Sequence, residues 1–511
     1  MSEKTLRKTP GDHQAAPVER PTSRFPRLKA TWRAIRRRRF AIALVMHALG
    51  ALSSVQAIMS TRTPQGAIAW AISLNTCPYI AVPAYWVFGR SKFDNYELIR
   101  HREMLAVSET QNATIRALRD QGMLFAPVDG DDKRQQLVLE GLAEMPITRY
   151  NDADLLIDGE TTFQAIFDRI ADAEQYVLVE FYIVRPDELG NRLKDALVAK
   201  AREGVAVYFL YDALGSHGLT NEYLQELTDA GVSVAGFKTT RGWGNRTRVN
   251  FRNHRKIVVV DGVEAFVGGH NVGDEYVGKH PTLTPWRDTH VAVRGPVVLE
   301  TQVAFVEDWR WATGDTPELN WEPQKAAEGD MLALCLPTGP AENIETATLL
   351  MLDLINMAKT RIWIASPYFV PDEQFVSALQ LAALRGVDVR VLIPENNDDA
   401  LVDLTSYSYL EEAERVGIWI YRYEPGFMHQ KVWLIDERLV SIGTANFDNR
   451  SMRLNFEVTM LLRDAEFAGQ VRRMLEADFA KSRVVSAKEY TESSGVFQFF
   501  VRTARLLAPV Q

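Results

Sequence analysis

Apolar and polar positions alternate differently in three parts of the chain. Two uncharged apolar runs, Phe40 to Met59 and Gly66 to Phe88, flank a short polar link from Ser60 to Gln65. The first covers 20 residues, enough to cross a bilayer. The second contains Asn75, Pro78 and Pro83, with Trp70, Tyr85 and Trp86 near its ends, where aromatic rings favour the membrane interface. The pattern predicts a transmembrane hairpin over 40–88, with spans at 40–59 and 66–88. A signal peptide would instead end in a small-residue cleavage site after one short apolar core, and core helices seldom come as two uncharged runs back to back. Residues 89–150 are polar, with helical stretches around Tyr96–Arg119, and read as a helical connector.

From about residue 151 short apolar runs alternate with amphipathic helices. Leu155-Leu156-Ile157 ends at an Asp158-Gly159 turn, and Phe163, Ile166, Phe167 and Ile170 form the stripe of a helix. Buried strands are expected at Tyr176–Val184 and Val205–Tyr211, with a helix from Gly190 to Glu203 between them. The order returns further on. A helix carrying Met351, Leu352 and Ile355 precedes a strand at Arg361–Ala365, a helix at Glu373–Leu384 and a strand at Val387–Ile393. Glu203-Gly204-Val205-Ala206-Val207 matches Arg385-Gly386-Val387-Asp388-Val389, and Ser366-Pro367-Tyr368-Phe369 stands where the first half has Glu180-Phe181-Tyr182. The economical reading is a duplicated α/β unit, with lobes at 151–325 and 332–485 and a tail over 486–511.

Charge changes the picture at the start of the chain. Residues 1–39 hold twelve Lys or Arg against three acids, a net +9, so the overall −8 leaves about −17 on the remainder. The segment reads as a basic disordered N-terminus suited to an anionic membrane surface. The acidic body argues against nucleic acid as a partner. With basic flanks at residues 24–39 and at Arg90 and Lys92, both ends of the hairpin are expected on the cytoplasmic side. Cys77 and Cys335 lie far apart and predict no disulfide framework, and no Cys/His cluster has zinc-ligand spacing, so no metal site is expected.

The duplication is sharpest at one motif. The first copy runs His254-Arg255-Lys256, four residues, Asp261, six residues, then Gly268-Gly269-His270-Asn271. The second runs His429-Gln430-Lys431, four residues, Asp436, six residues, then Gly443-Thr444-Ala445-Asn446; every matched position is offset by 175. A lone histidine at a strand start is ordinarily structural; two in the same frame of two repeats are not explained that way. Residues 257–260 and 432–435 are apolar strands, and His and Lys, two apart, project from one face of the chain.

The residue types fit phosphoryl transfer. One imidazole cannot be nucleophile and acid together; two can divide the work, one attacking phosphorus and the other protonating the departing alkoxide. Lys256 and Lys431 supply fixed positive charge for the non-bridging oxygens, and Asn271 and Asn446 can donate amide hydrogens to bound substrate. With two lysines in place no metal or other cofactor is called for. Asp288 and Glu457, 34 and 28 residues after the histidines, are candidates for orienting the rings. His270 and His290 rank as supporting at most, and Glu275 and Arg450, each four residues past an Asn, as possible lining.

The paired His-x-Lys-x4-Asp-x6-Gly-x-x-Asn motifs resemble the phospholipase D superfamily over about 151–485. Within it, the tandem apolar segments, the stretch Thr63-Pro64-Gln65-Gly66-Ala67-Ile68-Ala69-Trp70, the run Ser366-Pro367-Tyr368-Phe369-Val370-Pro371 and the Tyr276…Trp286-Arg287-Asp288 region are similar to bacterial cardiolipin synthases. The resemblance implies two lobes meeting at a pseudo-two-fold interface, catalysis through a phosphohistidine, and His254, Lys256, Asp261, His429, Lys431 and Asp436 as the catalytic set. It further implies transfer of a phosphatidyl group between two phosphatidylglycerol molecules, with membrane lipid as partner. A hydrolytic phospholipase D, a phosphatidylserine synthase or a nuclease would use the same chemistry; the acidic body and the hairpin disfavour a nuclease. A non-catalytic scaffold would need a degraded motif, and neither is degraded. Gly269, where the superfamily often has Ser and the second copy has Thr444, is a departure not expected to touch the chemistry.

Overall fold

Proline sets the helix boundaries of the amino-terminal unit. The computed structural model describes residues 26–89, 111–239, 250–342 and 344–511, and the chain falls into two compact units, 1–90 and 91–511. In the first, α1 (Pro26–Ser60) is followed by α2 (Pro64–Thr76), with Thr63 Oγ1 accepting from the Gly66 N–H at 3.1 Å, and by α3 (Pro78–Phe88). Residues 26–39, expected to be disordered, are the first turns of α1. The second apolar run is not one helix: Pro78 lacks an N–H and its ring excludes the helical carbonyl four residues back, so the chain breaks at Cys77. Of the described helices, α1 alone, over Ile35–Ser60, is long and apolar enough to cross a membrane.

The polar residues inside these runs meet each other. Asn75 donates to Ser54 Oγ at 2.7 Å, Ser54 to the Gly50 carbonyl at 2.9 Å, and Trp86 Nε1 to Ser53 Oγ at 3.3 Å. Ala57, Leu74, Ala81, Val82 and Tyr85 pack inside, while Phe40, Leu44, Leu52, Ile58, Ile72 and Ile80 face outward. This is the inverse of a water-soluble bundle, in which apolar side chains turn inward.

The second unit is built on one sheet of sixteen strands. Its first half contains β1 (Thr148–Ile157), β2 (Tyr176–Phe181), β3 (Ala206–Asp212), β4 (Ser233–Phe237), β5 (Arg252–Asn253), β6 (Ile257–Val260), β7 (Glu264–Gly268), β8 (Trp286–Arg287) and β9 (Thr289–Arg294). The second contains β10 (Met331–Thr338), β11 (Arg361–Ala365), β12 (Phe369–Val370), β13 (Asp388–Pro394), β14 (Trp419–Tyr423), β15 (Phe427–Met428), β16 (Val432–Ile435), β17 (Leu439–Gly443), β18 (Phe447–Asp448), β19 (Asn455–Arg463) and β20 (Ser482–Val484). Outward from the centre the first lobe reads β1-β9-β7-β6-β2-β3-β4, and the second β10-β19-β17-β16-β11-β13-β14 before the extra edge strand β20. The two orders correspond strand for strand, and β1 pairs antiparallel with β10 to join them. A duplicated α/β fold with pseudo-two-fold symmetry is what the repeated sequence pattern predicts.

The connector is more than a link. Its helix Gly130–Ala143, with no counterpart in the sequence reading, adds Leu139 and Ala143 to the core of the second lobe, and Asp132 takes Arg463 at 2.8 Å. The expected helical stretch Tyr96–Arg119 lies partly outside the described residues; from 111 to 120 it is helical.

Candidate active site

Each motif histidine sits where a short extended segment crosses into the other lobe. β5, just ahead of His254, pairs in parallel with the start of β19, setting Arg252 opposite Asn455 and Asn253 opposite Phe456. β15, just ahead of His429, pairs in parallel with β8, setting Phe427 opposite Trp286 and Met428 opposite Arg287. In each case the next residue on the facing strand is an acid, so the carboxylates are exchanged between lobes. His254 Nδ1 lies 2.9 and 3.1 Å from the two oxygens of Glu457, and His429 Nδ1 lies 2.7 Å from Asp288 Oδ2. A carboxylate only accepts, so each Nδ1 carries the hydrogen and each Nε2 keeps its lone pair.

The site is deeply buried and positive. Lys256 and Lys431 follow their histidines on the same face, and their ammonium groups donate to the carbonyls of His254 (2.6 Å) and His429 (2.5 Å). Burial pushes Lys256 down to about 7 and Lys431 to about 8. Burial takes His254 down to about 4 against the pull of Glu457, with Lys256 and Lys431 adding to the fall. His429 falls well below the usual imidazole range through burial and the charges of Lys431, Lys256 and His254. Each lysine therefore acts on the histidine of the opposite lobe, and all four groups share one electrostatic cluster. Burial works against Glu457, but His254 and Lys256 hold it below the ordinary carboxylate value. With no anion bound, both rings are neutral at pH 7.

Aromatic rings wall the two histidines. Tyr182 stands edge-on to His254 at 5.0 Å between centroids; Trp286, Phe427 and Tyr276 surround His429 at 5.3, 5.6 and 6.2 Å. Such walls exclude water, which strengthens every charge interaction inside.

Three sequence expectations need correction. Asp261 and Asp436 lie at the far ends of β6 and β16, turned away from the histidines. Asp261 accepts from the backbone N–H groups of Glu174, Gln175 and Tyr176 at 2.8–2.9 Å, and Asp436 from those of Lys359, Thr360 and Arg361 at 2.8–3.2 Å. Both have left-handed backbone, φ 54° and 52°, and bind turn to strand rather than substrate. Asn271 accepts from the Ile183 N–H at 3.1 Å and gives one of its two amide hydrogens to Tyr276 at 2.9 Å. Gly269 does matter: a Cβ there would stand 2.0 Å from Asp288 Oδ1.

Asn446 is buried and bonded through its backbone to Ser451 at 3.0 Å. His270 and His290 form a buried pair, Nδ1 to Nδ1 at 3.0 Å, both taken to about 3 by burial. Glu275 pairs with Arg185, and Arg450 donates to the Asn250 carbonyl at 2.6 Å.

The sequence reading missed the residue between His and Lys. Strand alternation sends it into the lobe. Arg255 there meets Asp308 at 2.8 Å and the Glu457 carbonyl at 3.0 Å, and Gln430 meets Asp478 at 2.8 Å, which also pairs with Arg287. A buried Arg needs an acid, which was the available signal. Tyr182 and Thr444 were missed as well. Thr444 donates to Glu457 at 2.6 Å.

The family profile described as "Cardiolipin synthase, PLD-like domain" matches residues 166–281 and 351–479, which include both motifs. The chain is 46% identical over 482 residues to cardiolipin synthase A of Pseudomonas fluorescens, covering 92% of this chain and 98% of that protein. It is 47% identical over 468 residues to cardiolipin synthase A of Pseudomonas aeruginosa, covering 90% and 94%. Among solved structures, phosphatidylserine synthase of Haemophilus influenzae superposes with a TM-score of 0.58 at 15% identity, over 75% of this chain and all of that one, a likeness of fold alone.

Proposed function

The chain belongs to the cardiolipin synthase A family, and from that premise we propose that it transfers a phosphatidyl group from one phosphatidylglycerol to another, releasing glycerol and forming cardiolipin through a phosphohistidine. The observation that carries this reading is the crossed pair of buried histidine–carboxylate couples, with both lysines in the same cluster.

In the first step the Nε2 lone pair of His254 attacks phosphorus, the bond to the glycerol oxygen breaks, and His429 gives a proton to that oxygen. In the second, the hydroxyl of an incoming phosphatidylglycerol loses its proton to His429, its oxygen bonds to phosphorus, and the P–N bond breaks. Lys256 and Lys431 hold the non-bridging oxygens, so the scheme calls for no metal. His429 must hold a proton in the first step, yet the cations around it depress its affinity. The phosphodiester anion supplies the correction: seated between the lysines, it offsets their charge and raises His429. Glu457 and Asp288 keep the tautomers that leave both Nε2 atoms available.

A lipid-hydrolysing phospholipase D would use the same groups with water as acceptor. Purified protein supplied with phosphatidylglycerol alone separates the two readings by product mass. Cardiolipin with glycerol supports the proposal; phosphatidic acid alone defeats it.

The enzyme is membrane-associated, in keeping with the apolar helix Ile35–Ser60. In our reading α1 to α3 form a hairpin that enters and leaves the bilayer on the cytoplasmic side, because both flanks are basic. A reporter fused after Gln511 that works only outside the cytoplasm would overturn that topology.

A further inference from the structure

The carboxy-terminal helix Gly495–Arg505 carries an apolar arc wider than its packing uses. Phe497, Val501, Ala504 and Ala508 face the lobe: Phe497 meets the Tyr407 ring at 5.4 Å, and Ala508 packs with Val370 and Val402. Val496, Phe499 and Phe500, at i, i+3 and i+4, continue that arc beside the packed residues and are 67, 66 and 55% exposed, with Leu506 and Leu507 just past the helix at 78 and 47%. An amphipathic helix ordinarily buries its whole apolar face.

The helix leads directly to the site. The Ala508 carbonyl accepts from Asn449 at 3.1 Å and the Gln511 carbonyl from the Arg450 N–H at 2.7 Å, three and four residues past Asn446. Tyr368, packed against the same small cluster, bonds to Asp398, whose carboxyl feels Lys431.

We infer that this helix is a membrane-docking surface, laying Phe499, Phe500 and Leu507 into the lipid interface so that headgroups arrive beside the second half-site. The inference rests on the proposed lipid substrate. Two observations commit the occupant to a bilayer: the segment that follows the exposed residues is bonded to Asn449 and Arg450, near a site that must take its substrate from one, and every copy of the chain carries a helix of membrane length. The pairing of phenylalanines with the exposed Arg502 on one helix suits an anionic interface.

The test uses the full chain reconstituted in vesicles of phosphatidylglycerol and phosphatidylcholine. Cys77→Ser leaves only buried Cys335, so a cysteine at Phe499→Cys can be labelled with an environment-sensitive dye and challenged with doxyl lipids. The dye should be quenched there and not at Glu222→Cys, on the exposed helix Asn221–Asp229. Phe499→Ser with Phe500→Ser should raise KM for vesicle phosphatidylglycerol roughly tenfold, the effect of losing one or two apolar anchors. Turnover of a water-soluble short-chain phosphatidylglycerol should stay unchanged, which also shows the variant folded. An unquenched dye, or shielding that disappears on diluting detergent-solubilised protein, as a second copy would produce, overturns the inference. Quenching is read without turnover, so failure to form cardiolipin would defeat the functional proposal separately.

Discussion

In the first half-site His254 meets both oxygens of a long acid, Glu457, which Thr444 (2.6 Å) and Asn455 (3.1 Å) steady from behind; in the second, His429 meets one oxygen of a short acid, Asp288, steadied by the Thr289 N–H at 2.8 Å. The position that holds Thr444 in one lobe holds Gly269 in the other, because the Asp288 carboxylate fills the space a side chain would need. One contact is thus reached by two compensated pairs: a longer acid with a hydroxyl behind it, or a shorter acid whose own carboxylate fills that space. Both rings fall through burial and the lysine charges while a carboxylate stands against Nδ1, Glu457 at His254 and Asp288 at His429.

The largest effect should come from the histidines, and it tests whether the half-sites have separate roles. His254→Ala and His429→Ala should each lower turnover by about 10⁴-fold or more. They should part in trapping: His429→Ala retains a lipid adduct on His254 when a good leaving group is supplied, and His254→Ala gives none. Mass spectrometry of the labelled peptide checks this. An adduct on His429 would reverse the roles. Full activity in either variant, or loss of wild-type activity in chelator, would refute the scheme.

Next come the exchanged acids. Glu457→Gln and Asp288→Asn should each cost about 10²- to 10⁴-fold in kcat, since an amide no longer enforces the Nδ1–H tautomer. The small residues break the symmetry. Gly269→Ala should do nearly as much damage as Asp288→Asn, by driving that carboxylate off His429. Thr444→Ala removes one hydrogen bond, about 1 kcal/mol and roughly fivefold. Equal effects at 269 and 444 would contradict the compensated-pair account.

The pH profile of kcat/KM follows from the shifted groups. Below about 4 His254 is protonated and cannot attack, so the rate falls with falling pH there rather than near the free imidazole value. Above about 7 to 8 Lys256 and Lys431 lose their protons and their hold on phosphate, so the rate falls as pH rises. An acid limb near 6.5 would mean that His254 is not buried as described.

The repeat was legible because chemistry fixes residue identity at fixed spacing, and the strands 257–260 and 432–435 announce themselves as buried apolar runs. The exchange of acids was not, since no local pattern says which lobe a carboxylate will face across a gap of 141 or 203 residues. The break at Cys77 was written in Pro78, but a membrane span tolerates proline often enough to mask it. Asp261 and Asp436 repeat as faithfully as the histidines. Repetition alone cannot separate a residue that meets substrate from one that pins the strand presenting it.

The smallest effect concerns Glu180 behind His254; behind His429 the part of Asp308 is taken by buried Asp478, which meets Gln430 and Arg287. Glu180 and Asp308 are both buried, and Asn253 donates to both, at 2.6 and 2.9 Å. Arg255 reaches Asp308 at 2.8 Å and also the carbonyls of Glu457 and Thr338, so one guanidinium serves two carboxyls. Burial, with Asp308 beside it, pushes Glu180 well above the carboxylate range and favours its neutral form. In the second lobe Ala365 holds that place, opposite Val432 as Glu180 is opposite Ile257, and it carries no polar group. Glu180→Gln keeps a neutral group of the same shape, so kcat/KM should stay within about threefold and stability within about 1 kcal/mol. Glu180→Ala leaves Asn253 and Asp308 short of a partner and should cost about 1–3 kcal/mol in thermal unfolding. Asp308→Asn should cost more, because it strands the Arg255 charge that holds the Glu457 backbone. If Glu180→Gln proved as damaging as Glu180→Ala, the carboxyl would have to be charged in the folded enzyme, and the first half-site would carry a net negative charge behind His254 that the second lacks.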